Sequence, residues 1–103
     1  MKDELPAWLA TLSRHDAKLF DQVTDIQQMV QHEGTLPLKI KTLMMMLGDC
    51  FLARPHGVKV LADRARSQGA TEEEVVETVQ VAYYMGGLAA LFPALNAFEV
   101  VEL

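Results

Sequence analysis

Residues 57–86 read GVKVLADRARSQGATEEEVVETVQVAYYMG, and the fold turns on how that stretch divides. Val58, Leu61, Ala62 and Ala65 recur at the i, i+3, i+4, i+7 spacing of one helix face, with Lys59, Asp63, Arg64 and Arg66 opposite. Gly69 stands where a left-handed residue ends a helix. Arg64 and Arg66 place positive charge at the negative end of that helix dipole. Thr71 can then accept from the first free amides of a second helix. Glu74 can reach back to complete a capping box, and Glu72 and Glu73 suit the positive helix end. Val75, Val79, Ala82 and Tyr83 continue as the apolar face of that second helix. So short a connection predicts a central antiparallel helical hairpin whose arms share a core.

Working outward, Pro6 suits a first helical position, and Trp8, Leu9 and Leu12 mark the inner edge of a short helix ending near Arg14. A second helix starts from the cap Asp16, with Leu19, Phe20, Val23, Ile26 and Val30 inward, and closes over His32 to Gly34. Thr35 to Pro37 opens a third, in which Leu36, Ile40, Leu43, Met44, Leu47 and Phe51 mark one face and Met45, Met46 and Cys50 lie on others. A helix apolar almost all round needs cover beyond its own core, and a second copy of the chain would supply it. Pro55 ends that helix. Beyond the hairpin, Gly86 and Gly87 allow close backbone approach or a sharp bend. Pro93 is expected in the first turn of a last helix carrying Ala94, Leu95, Phe98, Val101 and Leu103. No alternating strand pattern and no internal repeat is present. The expectation is an all-α bundle of five to six helices.

Half of the 103 residues are hydrophobic, enough for a single domain over residues 1–103 that buries roughly 60–70% of its unfolded surface. Nine Lys and Arg against fourteen Asp and Glu give a net charge of −5 without a basic run, which argues against nucleic acid and anionic membranes as partners. Cys50 is the only cysteine, so one chain makes no disulfide and no cysteine-rich zinc site. Asp3 and Glu4 fall where an export signal would be basic, and the KDEL letters at 2–5 are at the wrong end to act in retention. The apolar run from Leu43 to Ala53 is shorter than the roughly 20 residues of a membrane span. A soluble, cytoplasmic protein is expected.

Candidate chemistry is sparse. Cys50 reads either as a thiol activated by Arg54 or His56, or as a small buried hydrophobe. His15, His32 and His56 are too scattered to form a metal set, and neither metal nor cofactor is expected. Glu72, Glu73, Glu74 and Glu77 are explained by a helix start as well as by acid–base work. Met44 can line a pliable pocket or a subunit contact. Tyr83 and Tyr84 beside Gly86 and Gly87 can line a ligand pocket or simply pack.

The region from Leu36 to Phe98 resembles the carboxymuconolactone decarboxylase and alkylhydroperoxidase D-like (AhpD-like, peroxiredoxin-like) family. The run GVKVLADRARSQGATEEEVVETVQVAYYMGG followed by LAAL carries the likeness, with its Gly-Ala-Thr turn and Glu-Glu-hydrophobic helix start. The resemblance implies an AhpD-like helical subunit that assembles as a homotrimer or as a homohexamer of dimers. It also implies a catalytic pattern. Redox-active members carry a Glu ahead of a C-x-x-C-x-x-x-H motif, and the decarboxylases keep its histidine. Aligned on Gly69-Ala70-Thr71, the glutamate falls on Thr42, the cysteines on Arg54 and Gly57, and the histidine on Leu61. None of the four is retained. Without a resolving partner a lone thiol cannot form the internal disulfide that follows peroxide attack, and Thr42 and Leu61 cannot titrate near neutrality.

Three readings follow. The first is a divergent family member without the dithiol or the Glu/His relay, an oligomer that binds a small organic ligand between the third helix and the Tyr83–Gly87 segment or acts through interaction. The second is an active enzyme with relocated groups, either Cys50 with His56 in peroxidase chemistry or Asp49, His56 and Tyr84 in lactone chemistry. The third is a monomeric helical interaction module.

Overall fold

The structure, a computed structural model, describes residues 5–99. Its order is α1 (Ala7–His15), α2 (Ala17–Val30), α3 (Leu38–Phe51), α4 (Pro55–Ser67), α5 (Glu72–Gly86) and α6 (Leu88–Ala94), with a terminal 3₁₀ turn at Leu95–Ala97. The fold is all-helical, with six α-helices and no strand among the described residues. None of these helices is long and apolar enough to cross a membrane. The expectations for Asp3, Glu4, Val101 and Leu103 lie outside the described residues. The chain divides into two compact units, Met1–His32 and Glu33–Leu103.

The first unit is the pair α1 and α2, joined through one residue. The Asp16 N–H closes α1 by donating to the Leu12 carbonyl at 2.8 Å, and its carboxylate opens α2 by accepting from the Leu19 N–H at 2.9 Å. Leu9 is buried, whereas no residue of α2 is, and Leu19, Ile26 and Val30 stay exposed.

The second unit carries the core. α4 ends in a Schellman turn: the Gly69 N–H donates to the Arg66 carbonyl (3.0 Å), the Ala70 N–H to the Ala65 carbonyl (2.9 Å), and Gly69 takes φ +100°. α5 opens on the expected capping box, with the Glu74 N–H on Thr71 Oγ1 at 3.1 Å and the Thr71 N–H on Glu74 Oε1 at 2.8 Å. The two arms share their core chiefly through α3 and α6, with little direct side-by-side packing between α4 and α5. Arg66 holds the far side together, donating to Glu72 (2.6 Å), Asp63 (3.0 Å) and the Ala97 carbonyl (2.7 Å).

Val58, Ala62, Ala65, Val75, Val79 and Ala82 are buried as the periodicity predicts, but Tyr83 is half exposed. α3 is turned relative to expectation. Its inward face is Thr42, Leu43, Met46 and Cys50, and Met44 and Phe51 lie outward. A helix that is apolar on every side gives its periodicity no power to choose the inner stripe. Met46, Val58 and Val75, each fully buried, contribute about 1.5–3 kcal/mol apiece. α6 begins at Leu88, directly after the left-handed Gly87 (φ +67°), so Pro93 falls in its last turn and not its first. Gly86 is where α5 meets α3 and α6. A Cβ there would stand 2.6 Å from the Ala90 methyl and 3.0 Å from the Phe51 ring.

Candidate functional site

The four positions that the resemblance singles out lie on α3, at the start of α4 and along it. Thr42 is completely buried, its hydroxyl 3.0 Å from the Leu38 carbonyl and 2.6 Å from the Gln68 side-chain oxygen. One hydroxyl proton serves one acceptor, so both contacts are met when Thr42 donates to Leu38 and the Gln68 amide turns its N–H2 toward the hydroxyl. The position is closed by hydrogen bonding.

Arg54 precedes α4, caps it with no side-chain hydrogen bond, and lies largely in solvent, 3.8 Å from Asp49. The Asp49 carboxylate is mostly buried and lies against Gly57, in the first turn of α4, where the helix presents its positive end. A Cβ on Gly57 would fall on that carboxylate, with its Cγ only 3.0 Å away. The space a side chain at 57 needs is therefore occupied by Asp49. Leu61 is half-buried and packs against the core.

The relocated candidates are not gathered. Cys50 is fully buried within the core, and burial together with the neighbouring Asp49 charge pushes its thiol up to about 11. Such a thiol is protonated at neutral pH. His56 is exposed in the first turn of α4, and Tyr84, on α5, is 86% exposed. No hydrogen bond joins any two of Cys50, His56 and Tyr84. Among the described residues no group of three or more His, Cys, Asp or Glu could hold a metal.

The surface hollows lie elsewhere. A cleft of about 310 Å³ runs between α3 and α5, walled by Ile40, Leu43, Met44 and Leu47 on one side and Glu74, Glu77, Thr78 and Val81 on the other. Each wall is an i, i+3, i+4, i+7 ridge of one helix, which is why a single register sets all eight side chains face to face. Lys39 bridges to Glu74 at 3.1 Å. The Thr71 N–H first, and then Lys39, hold the Glu74 carboxyl below its usual range. A second groove, almost wholly apolar, is lined by Val76, Val79, Gln80, Tyr83, Leu91 and Phe98. Met44 and Tyr83 therefore line different hollows, and Tyr84 lines neither. Where the third helix meets Gly86, the space is filled by Phe51 and Ala90. Sequence reasoning missed Gln68, which partners Thr42 across 26 positions of chain. It also missed the α5 wall of the cleft, whose signal, Glu74 to Val81 at helical spacing, carries no mark of its partner.

The all-helical fold is shared with solved proteins of one family. A crystal structure of a carboxymuconolactone decarboxylase, so named, from Burkholderia xenovorans LB400 superposes with a TM-score of 0.82 at 22% identity, over 90% of this chain and 74% of the other. A carboxymuconolactone decarboxylase family protein from Legionella pneumophila, solved in its apo form, superposes with a TM-score of 0.78 at 28% identity, over 87% of this chain and 80% of that one. No curated protein matches. The model of the carboxymuconolactone decarboxylase family matches residues 17–100, and the chain belongs to that family.

Proposed function

We propose that this chain is a homo-oligomeric member of the family that binds a small organic ligand in the α3–α5 cleft and does not run the family's dithiol or Glu/His chemistry. The observation that carries the proposal is Asp49 against Gly57: the second thiol position lacks its sulfur and also lacks room for it while Asp49 is in place. The hydrogen-bonded burial of Thr42 beside Gln68 supports the same reading at the glutamate position. The burial of Cys50 supports a packing role there, since a thiol with a pKa near 11 supplies almost no thiolate at pH 7.

Self-association is supported by the outer face of α5 and α6, where Met85, Leu88 and Phe92 are 68%, 56% and 64% exposed. Apolar surface of that kind is what subunit interfaces cover. Met44, more than half exposed on the cleft wall, is the sequence-predicted ligand residue that the cleft takes up.

The test is peroxide consumption with a dithiol reductant, beside light scattering on a sizing column. We expect no turnover above buffer, the same result for Cys50→Ala, and a discrete oligomer that Leu88→Asp with Phe92→Asp disperses. Turnover abolished by Cys50→Ala would return the relocated-thiol enzyme. A monomer at every concentration would remove the assembly.

A further inference from the structure

We propose that the α3–α5 cleft selects an amphiphilic amine, an apolar chain ending in a single ammonium, with Glu77 as the residue that reads the charge. This rests on the cleft being a ligand site and adds the ligand's chemistry.

The two walls are chemically unlike. Ile40, Leu43, Met44 and Leu47 give α3 a wholly apolar side, and Val81 adds to it from α5. The rest of the α5 wall is polar, Thr78 with the carboxylates of Glu74 and Glu77, and its charge is only partly matched. Glu74 is held by Lys39 and by the Thr71 N–H. Glu77 has neither a hydrogen bond nor an ion pair from any described residue, and Glu73 beside it adds a further negative charge.

Lys39 is paired with Glu74, which leaves Glu77 as the unmatched carboxylate beside an apolar floor, on a chain whose net charge is −5. A carboxylate ligand would meet repulsion from Glu77. A neutral chain would gain only burial. An ammonium completes the charge balance while its chain covers the α3 wall. Size argues for a small molecule, because about 310 Å³ lies at the low end of ligand sites whereas a helix with its side chains is roughly 10–12 Å across.

The test titrates octylamine, octanol and octanoate into the full chain and follows the methyl resonances of Ile40, Met44 and Val81. Octylamine should shift all three and bind about two- to fivefold more tightly than octanol, the range of an exposed ion pair, with octanoate weakest. Raising the salt should narrow the gap between amine and alcohol. Glu77→Gln, at an exposed position, should bring octylamine down to octanol without moving octanol.

Octanoate binding as well as octylamine, or an amine preference unchanged in Glu77→Gln, overturns the ligand class and leaves the cleft as a site. If no probe moves these methyls, or if they move with protein concentration alone because a second copy covers the cleft, the site itself is overturned, and the ligand-binding part of the proposed function with it.

Discussion

Replacing Gly57 by Ala measures directly whether Asp49 fills the site. In an otherwise open helix the change would stabilise by about 0.5–1 kcal/mol, because glycine loses more backbone freedom on folding than alanine. Here the new methyl meets the Asp49 carboxylate in the first turn of α4, and relieving such overpacking costs about 1–3 kcal/mol. The net expectation is a loss of about 0.5–2 kcal/mol. In an Asp49→Ala background the obstacle is gone, and the same substitution should turn stabilising by about 0.5–1 kcal/mol. The two single variants and the double variant, unfolded in urea with unchanged m-values, give a coupling of at least ~1 kcal/mol. Equal effects of Gly57→Ala in both backgrounds would refute the argument that Asp49 occupies the side-chain volume of position 57.

Gly86→Ala should destabilise by about 1–3 kcal/mol, since its methyl would meet the Ala90 methyl and the Phe51 ring; Phe51→Ala in the same chain should recover part of that loss in the urea midpoint. Thr42→Val keeps the shape but strips the hydroxyl from the Gln68 amide. It should cost about 1–3 kcal/mol, with a smaller loss when Gln68→Leu is added. Cys50 should resist alkylation at pH 7 until the chain is unfolded. Its folded pKa of about 11 lies above the ordinary value near 9, so the unfolded chain gives up the proton first. Stability is whole below about pH 9 and falls as pH climbs toward 11, and Cys50→Ala should flatten that alkaline limb of the thermal midpoint against pH.

Local signals were legible, and long-range ones were not. The α4–α5 turn was readable because every group that makes it lies within a few positions: Gly69 with Arg66, Ala70 with Ala65, Thr71 with Glu74. Caps and Schellman turns are short-range hydrogen bonds, so residue type and spacing nearly determine them. The inner face of α3 was not readable. Leu43 belongs to either stripe, but Met44 and Phe51 extend it at helical spacing as well as Met46 and Cys50 do, and the choice between them is made by α4, α5 and α6 packing on Met46 and Cys50. Pro93 misled for a related reason. Proline favours the first turn, yet the left-handed Gly87 had already started α6 at Leu88.

That the alignment implied by the resemblance puts no glutamate, thiol or imidazole at its four positions could be read from Thr42, Arg54, Gly57 and Leu61. What fills the space could not, because Asp49 and Gln68 reach it from outside the motif. Physics nonetheless requires that something fill it. A vacated pocket left empty would cost about 24 cal/mol per Å³ of void, and a vacated polar pocket leaves donors without acceptors. The two sets of contacts at these positions differ in depth. At the buried end, Thr42 and Gln68 satisfy each other as neutral groups, which carries no charge into the core. Nearer the surface, Asp49 lies against the first turn of α4, with Arg54 in solvent 3.8 Å away. Asp49→Asn should therefore lower the urea midpoint less than Asp49→Leu, since the amide keeps the shape of the group that lies against Gly57 and the leucine does not.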